Sequence, residues 1–193
     1  MRLTAFLLLL SFAVFLPGRG AGQEAQAVNA GAPPIVELEG NGPSIEAHAT
    51  IRIHASRAAV WAILSSCPEA LKIVPGLEAC EVLERAPDAS WARIRQVMAY
   101  SWLLPRVRIE VKASYQQPAA MSFERVGGDL VGLRGAWDLQ KDGDYTMARY
   151  SLVLESGFWV PHWILRAVMK RDLPKMLQAL RRKAESTAPE NLG

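Results

Sequence analysis

Apolar Ile45, Ala47, Ala49, Ile51 and Ile53 alternate with polar Glu46, His48, Thr50, Arg52 and His54, which predicts a strand with one dry face. Ser56 supplies an N-cap for a short helix through Ala59, Val60, Ile63 and Leu64, and Pro68 requires that helix to stop at or before Cys67. A second helical turn is expected over Glu69 to Ile73, ended by Val74-Pro75-Gly76. Further strands are predicted over 77–85, 91–98, 107–116, 121–126, 130–140 and 145–155, divided by turn residues such as Gln117-Pro118 and Gly127-Gly128-Asp129. Those intervals are too short for crossover helices, so antiparallel pairing is expected. Val107, Ile109, Val111, Ala113 and Tyr115 share one parity, and Val131, Leu133, Trp137 and Leu139 share another. After Gly157 the period becomes helical, with Pro161 near the first turn and an apolar stripe of Leu165, Val168, Met169, Leu173, Met176, Leu177 and Leu180. The opposite face carries Arg166, Lys170, Arg171, Lys175, Arg181, Arg182 and Lys183, and Pro174 is expected to kink the helix.

This order predicts an α+β fold: a curved antiparallel seven-stranded sheet wrapped around the long C-terminal helix, with two short helices after the first strand. Only that helix is large enough to cover the dry face, and a curved sheet gripping it leaves an elongated apolar gap in which a small molecule can sit. Parity places Ile94, Gln96, Val107, Ile109, Val111, Tyr115, Leu133, Trp137, Tyr150, Leu152 and Leu154 on the cavity side, joined by Val168, Met169, Leu173 and Met176 of the helix. For each apolar position, ordinary core packing is the plain alternative. Gln96, Tyr115 and Tyr150 are polar on otherwise dry faces and need a partner, either a protein group or a ligand headgroup.

At the N-terminus, Met1-Arg2 precedes a predominantly apolar run from Leu3 to Leu16 and then Pro17-Gly18, the layout of a secretory signal peptide and too short for a membrane span. Cleavage is expected after Gly22, or as late as Ala27, giving export to a bacterial periplasm. The expected domain plan is 1–22 signal peptide, 23–43 flexible lead-in rich in Ala, Gly and Pro, 44–186 folded domain, and 187–193 frayed tail. Loss of Arg2 and Arg19 would lower the net charge from +3 to +1, so charge implies no nucleic-acid partner. Cys67 and Cys80, in an oxidising compartment, form either a disulfide or two buried thiols.

Ala58-Ala59-Val60-Trp61-Ala62-Ile63-Leu64 with Pro75-Gly76-Leu77, and Tyr150-Ser151-Leu152 through Val160-Pro161-His162-Trp163 to Leu173-Pro174-Lys175-Met176-Leu177 and Leu180, carry a resemblance. Over roughly residues 44 to 185 the chain resembles the START-related superfamily of helix-grip proteins, which includes polyketide cyclase/dehydrase and lipid-transport proteins and a coenzyme Q-binding group. The resemblance implies a binder of a lipid, isoprenoid quinone or sterol-like molecule, with transfer of that molecule as an extension. A cyclase- or isomerase-like enzyme using Tyr115 or Tyr150 as general acid, and an envelope protein-interaction module, are the alternatives.

Two apolar segments, Trp102-Leu103-Leu104-Pro105 and Phe158-Trp159-Val160-Pro161-His162-Trp163, are expected to flank the cavity mouth and touch a membrane transiently. Their alternative is inward folding. No nucleophile elbow, phosphate-binding glycine loop or dinucleotide fingerprint occurs, so no catalytic residue and no cofactor is assigned. His48 and His54 lie too far apart along one strand to share a metal, and no metal site is expected.

Overall fold

The computed structural model describes residues 31–40, 44–99, 106–155 and 161–187. The expected signal peptide, the start of the lead-in, the end of the tail, and Trp102, Leu103, Phe158 and Trp159 lie outside the described residues. The strands are β1 (Ile35–Glu39), β2 (Ser44–Ile53), β3 (Leu77–Arg85), β4 (Trp91–Met98), β5 (Val107–Gln116), β6 (Ala120–Gly128), β7 (Gly132–Asp142) and β8 (Tyr145–Glu155). They form one antiparallel sheet in the order β1-β2-β8-β7-β6-β5-β4-β3. Register shifts between Glu110 and Val111 on β5, and at two points on β3, add the local bends that help an antiparallel sheet curl.

The sheet has eight strands where seven were expected, because β1 lies inside the stretch read as a flexible lead-in. Its Val36 and Leu38 pack against the core while Ile35, Glu37 and Glu39 face out, an alternation too short to stand out beside Pro33, Pro34 and Gly40. β7 begins at Gly132, and Val131, expected on the dry face, is 63% exposed just before it.

The helices are α1 (Arg57–Leu64), α2 (Cys67–Ile73) and α3 (His162–Thr187). Ser56 Oγ accepts from the Ala59 amide at 3.2 Å, and Ser66 Oγ from the Glu69 amide at 3.4 Å, so each short helix has its first turn capped. α2 starts two residues before the expected turn because Pro68 suits a first helical turn, where its missing N–H is not needed. A disulfide joins Cys67 at the start of α2 to Cys80 on β3, with Cα atoms 5.3 Å apart.

α3 crosses the concave face and buries Met169, Leu173, Met176, Leu177, Leu180 and Ala184. Its close backbone contacts are with β1, β2, α1 and α2, and β4 to β7 are not among them. The small Ala47 and Ala49 on β2, both buried, let the helix approach that half of the sheet. Arg181, expected on the solvated face, is only 9% exposed: its Nη2 donates to the Ala32 carbonyl at 2.7 Å, just ahead of β1. Arg166 Nη2 donates to the Leu38 carbonyl at 2.9 Å, so two helix arginines strap β1 to α3.

Candidate functional site

Because α3 leans on one half of the sheet, the other half faces unfilled space. That space is a cavity of about 210 Å³ between α3 and strands β4 to β8, closed on a third side by α1 and α2. The sheet wall comprises Ile94, Gln96 and Met98 of β4, Ile109, Val111, Ala113 and Tyr115 of β5, and Met121 and Phe123 of β6. It continues through Leu133 and Trp137 of β7 to Tyr150, Leu152 and Leu154 of β8. α3 contributes Val168, Met169, Asp172, Leu173 and Met176, while Ile63, Leu64, Ala70, Ile73, Val74 and Pro75 close the remaining side.

Every position that parity placed at the cavity lines it except Val107, which is buried at the end of β5, beside Met98, and belongs to the core. Sequence reasoning missed Met121 and Phe123, whose alternation with Ser122 and Glu124 is short and ends in Arg125, and the contribution of α1 and α2. It also missed Asp172, which reads as polar but follows Val168 and Met169 by one helical turn and therefore shares their stripe. The Asp172 side chain is 12% exposed and accepts two bonds from Arg171, at 2.7 and 2.8 Å.

Aromatic rings line one stretch of the wall. Phe123 stacks on Tyr150 with centroids 6.3 Å apart, and Tyr150 tilts against Trp137 at 4.6 Å. Gly135, paired with Phe123, has no side chain to obstruct that ring. Tyr115 meets the edge of Trp61 of α1 at 5.7 Å. Burial pushes the Tyr115 hydroxyl above its usual pKa, with Arg85 opposing weakly, so the group stays neutral. Among the described residues, neither the Tyr115 hydroxyl nor the Gln96 amide has a hydrogen-bonding partner, and both line the cavity. Met98, Met121, Met169 and Met176 give the wall flexible side chains able to repack around a guest.

Trp163 in the first turn of α3 is 71% exposed. Among the described residues no three His, Cys, Asp or Glu side chains converge as a metal site would require. No helix among them is long and apolar enough to cross a membrane.

Residues 53–181 match the family described as polyketide cyclase / dehydrase and lipid transport. No curated protein matches the chain. Among solved structures, a STAR-related lipid transfer protein from Xanthomonas axonopodis superposes with a TM-score of 0.67 at 18% identity, covering 81% of this chain and 96% of that one. The Zhui aromatase/cyclase from Streptomyces gives 0.63 at 18% identity, covering 74% and 94%. A START superfamily protein from Mycobacterium smegmatis gives 0.62 at 16% identity, covering 80% and 99%. At these identities the likeness is one of fold.

Proposed function

Starting from the premise that this chain belongs to the polyketide cyclase / dehydrase and lipid transport family, we propose that it encloses a lipid-like molecule between α3 and β4 to β8. The observation that carries the reading is an apolar cavity in which Gln96 and Tyr115 present polar groups without a partner among the described residues, an arrangement suited to a mostly hydrocarbon guest with few polar atoms. At about 210 Å³ the cavity is smaller than the roughly 300 to 1,000 Å³ of sites for drug-sized ligands. A long guest therefore requires the methionine-rich wall to give way, or protrudes from the mouth. Export to the periplasm is part of the proposal, supported by the N-terminal apolar run and by a disulfide that an oxidising compartment would preserve. So is exchange of the guest at a membrane, supported by the exposed Trp163.

Native mass spectrometry of the protein purified from envelope fractions, with extraction of whatever it holds, tests this directly. A co-purifying lipid, quinone or isoprenoid is expected. A protein that arrives empty and takes up no fluorescent long-chain fatty acid would overturn the reading. A second reading, a cyclase-type enzyme, draws on the neutral Tyr115 hydroxyl inside the cavity as a proton donor. Conversion of the extracted molecule into a new product on incubation with fresh protein would favour it.

A further inference from the structure

Resting on the cavity reading, we infer that Arg125 receives the anionic end of an amphiphilic guest, a carboxylate or phosphate whose hydrocarbon remainder fills the cavity. Arg125 lies on β6 two residues beyond Phe123, on the same inward face, and pairs with Val111. Phe123 and Val111 both line the cavity; Arg125 is not itself part of that lining and stands just beyond them on the same face. The bulge between Glu110 and Val111 falls at this point, turning Val126 outward, 48% exposed, while Arg125 stays half-buried.

Its guanidinium is incompletely satisfied. The Nη2 group donates to the Gly128 carbonyl at 3.1 Å, but Nε is buried without an acceptor among the described residues. Among the described residues no carboxylate forms an ion pair with it. The acids of the adjoining chain are engaged elsewhere: Glu110 with Arg95 at 2.9 Å, and Asp129 with the Arg108 amide at 2.7 Å. Arg52, Arg106, Arg149 and Arg171 each hold an aspartate or glutamate. Arg181 also has an unpaired Nε, but it faces the β1 side of the helix, where its Nη2 binds the Ala32 carbonyl.

An arginine in a protein is always charged, and a partly buried one without a counter-ion is expensive to keep. Its planar fork of donors matches the paired oxygens of a carboxylate or phosphate, so an incoming oxyanion would supply the missing partner. An uncharged amphiphile of equal length would fill the same space and leave the cation unpaired. The site therefore discriminates by the charge of the guest's end group.

Fluorescence titration with cis-parinaric acid and with its methyl ester separates the two contributions. The acid should bind the wild-type protein about tenfold more tightly than the ester, equivalent to about 1.4 kcal/mol. Arg125→Gln should bring the acid down to the level of the ester without changing ester binding, and Arg125→Lys should keep part of the preference. Dodecyl phosphate should compete with the acid. If it does and inorganic phosphate does not, the source is a lipid headgroup; competition by inorganic phosphate alone points to a free anion and overturns the amphiphile. Equal binding of acid and ester by the wild-type protein, or a preference undiminished in either variant, would overturn the role of Arg125 while leaving the cavity reading intact. Failure of both ligands to bind the wild-type protein would remove the cavity reading and this inference with it.

Discussion

At the pair Phe123 and Gly135, a Cβ on position 135 would run into the Phe123 ring and into the backbone carbonyl of Ser151. The carbonyl belongs to the β7–β8 ladder and has little freedom to retreat, so the ring would have to yield and the local strand backbone would have to shift as well. Gly135→Ala is therefore expected to destabilise the fold by about 1 to 3 kcal/mol, the range for overpacking a well-filled core, and to push Phe123 into the cavity. Urea unfolding and a fatty-acid titration check both parts; an unchanged midpoint with unchanged affinity would show that the ring is not held there. Most cavity positions were legible one residue at a time, because strand parity alone separates Ile109, Val111 and Tyr115 from Arg108, Glu110 and Lys112. Asp172 and Arg125 were not, since a charged residue is assigned to water by default. Their inward positions follow from helical spacing for the one, and from strand parity with Phe123 for the other.

Among the elements, α2 is the least self-sufficient: seven residues, a proline in its first turn, and one wall of the cavity to supply. It is held from outside, by the Cys67–Cys80 disulfide to β3 and by Lys183 of α3, whose Nζ lies 3.4 Å from Glu69. The bond from Lys72 is the main reason the Glu69 carboxyl lies below its ordinary pKa; desolvation opposes it, and Lys183 adds a smaller pull in the same direction as Lys72. A bridge spanning 13 residues closes a short loop, for which chain entropy suggests about 3 kcal/mol. Cys80→Ser, or reduction of the native protein, should lower stability by up to that amount and weaken ligand binding, because Ala70 and Ile73 would no longer be fixed over the cavity. Identical denaturation curves with and without reductant would dismiss this role. The disulfide was one of two open alternatives in the sequence, since nothing in local patterning brings Cys67 to the edge strand. β1 was hidden for a similar reason. Its five residues pair with β2 and are tied to α3 by Arg166 on the Leu38 carbonyl, with Arg181 holding Ala32 just ahead of them, contacts more than 120 positions along the chain that local periodicity does not encode.

For the molecule as a whole, the docking of α3 on the β1–β2 half both makes the cavity and fixes where α3 begins. Its first turns lie by Gly40, through Arg166, and Gly40 sits against Ser44, which pairs with Glu155. Glu155 in turn pairs with Gly132, so the exposed Trp163 and Val131 share one end of the sheet. The basic face that suggested electrostatic attraction to a membrane is weaker than the sequence implied. Arg166 is spent on the Leu38 carbonyl of β1 and Arg181 on that of Ala32 just ahead of it, Arg171 on Asp172 and Lys183 on Glu69, leaving Lys170, Lys175 and Arg182 unpaired among the described residues. At about 1 kcal/mol per cation near an anionic surface, these three alone give only modest attachment that salt would largely screen. Burying the Trp163 ring contributes an amount that salt does not remove. In co-sedimentation with phosphatidylglycerol-containing vesicles, Trp163→Ala should reduce binding about tenfold even at high salt, whereas neutralising Lys170 and Lys175 should matter only at low salt. Binding that is abolished by salt and indifferent to Trp163 would mean that the helix face alone meets the membrane, and that this end of the sheet is not where a guest leaves the cavity.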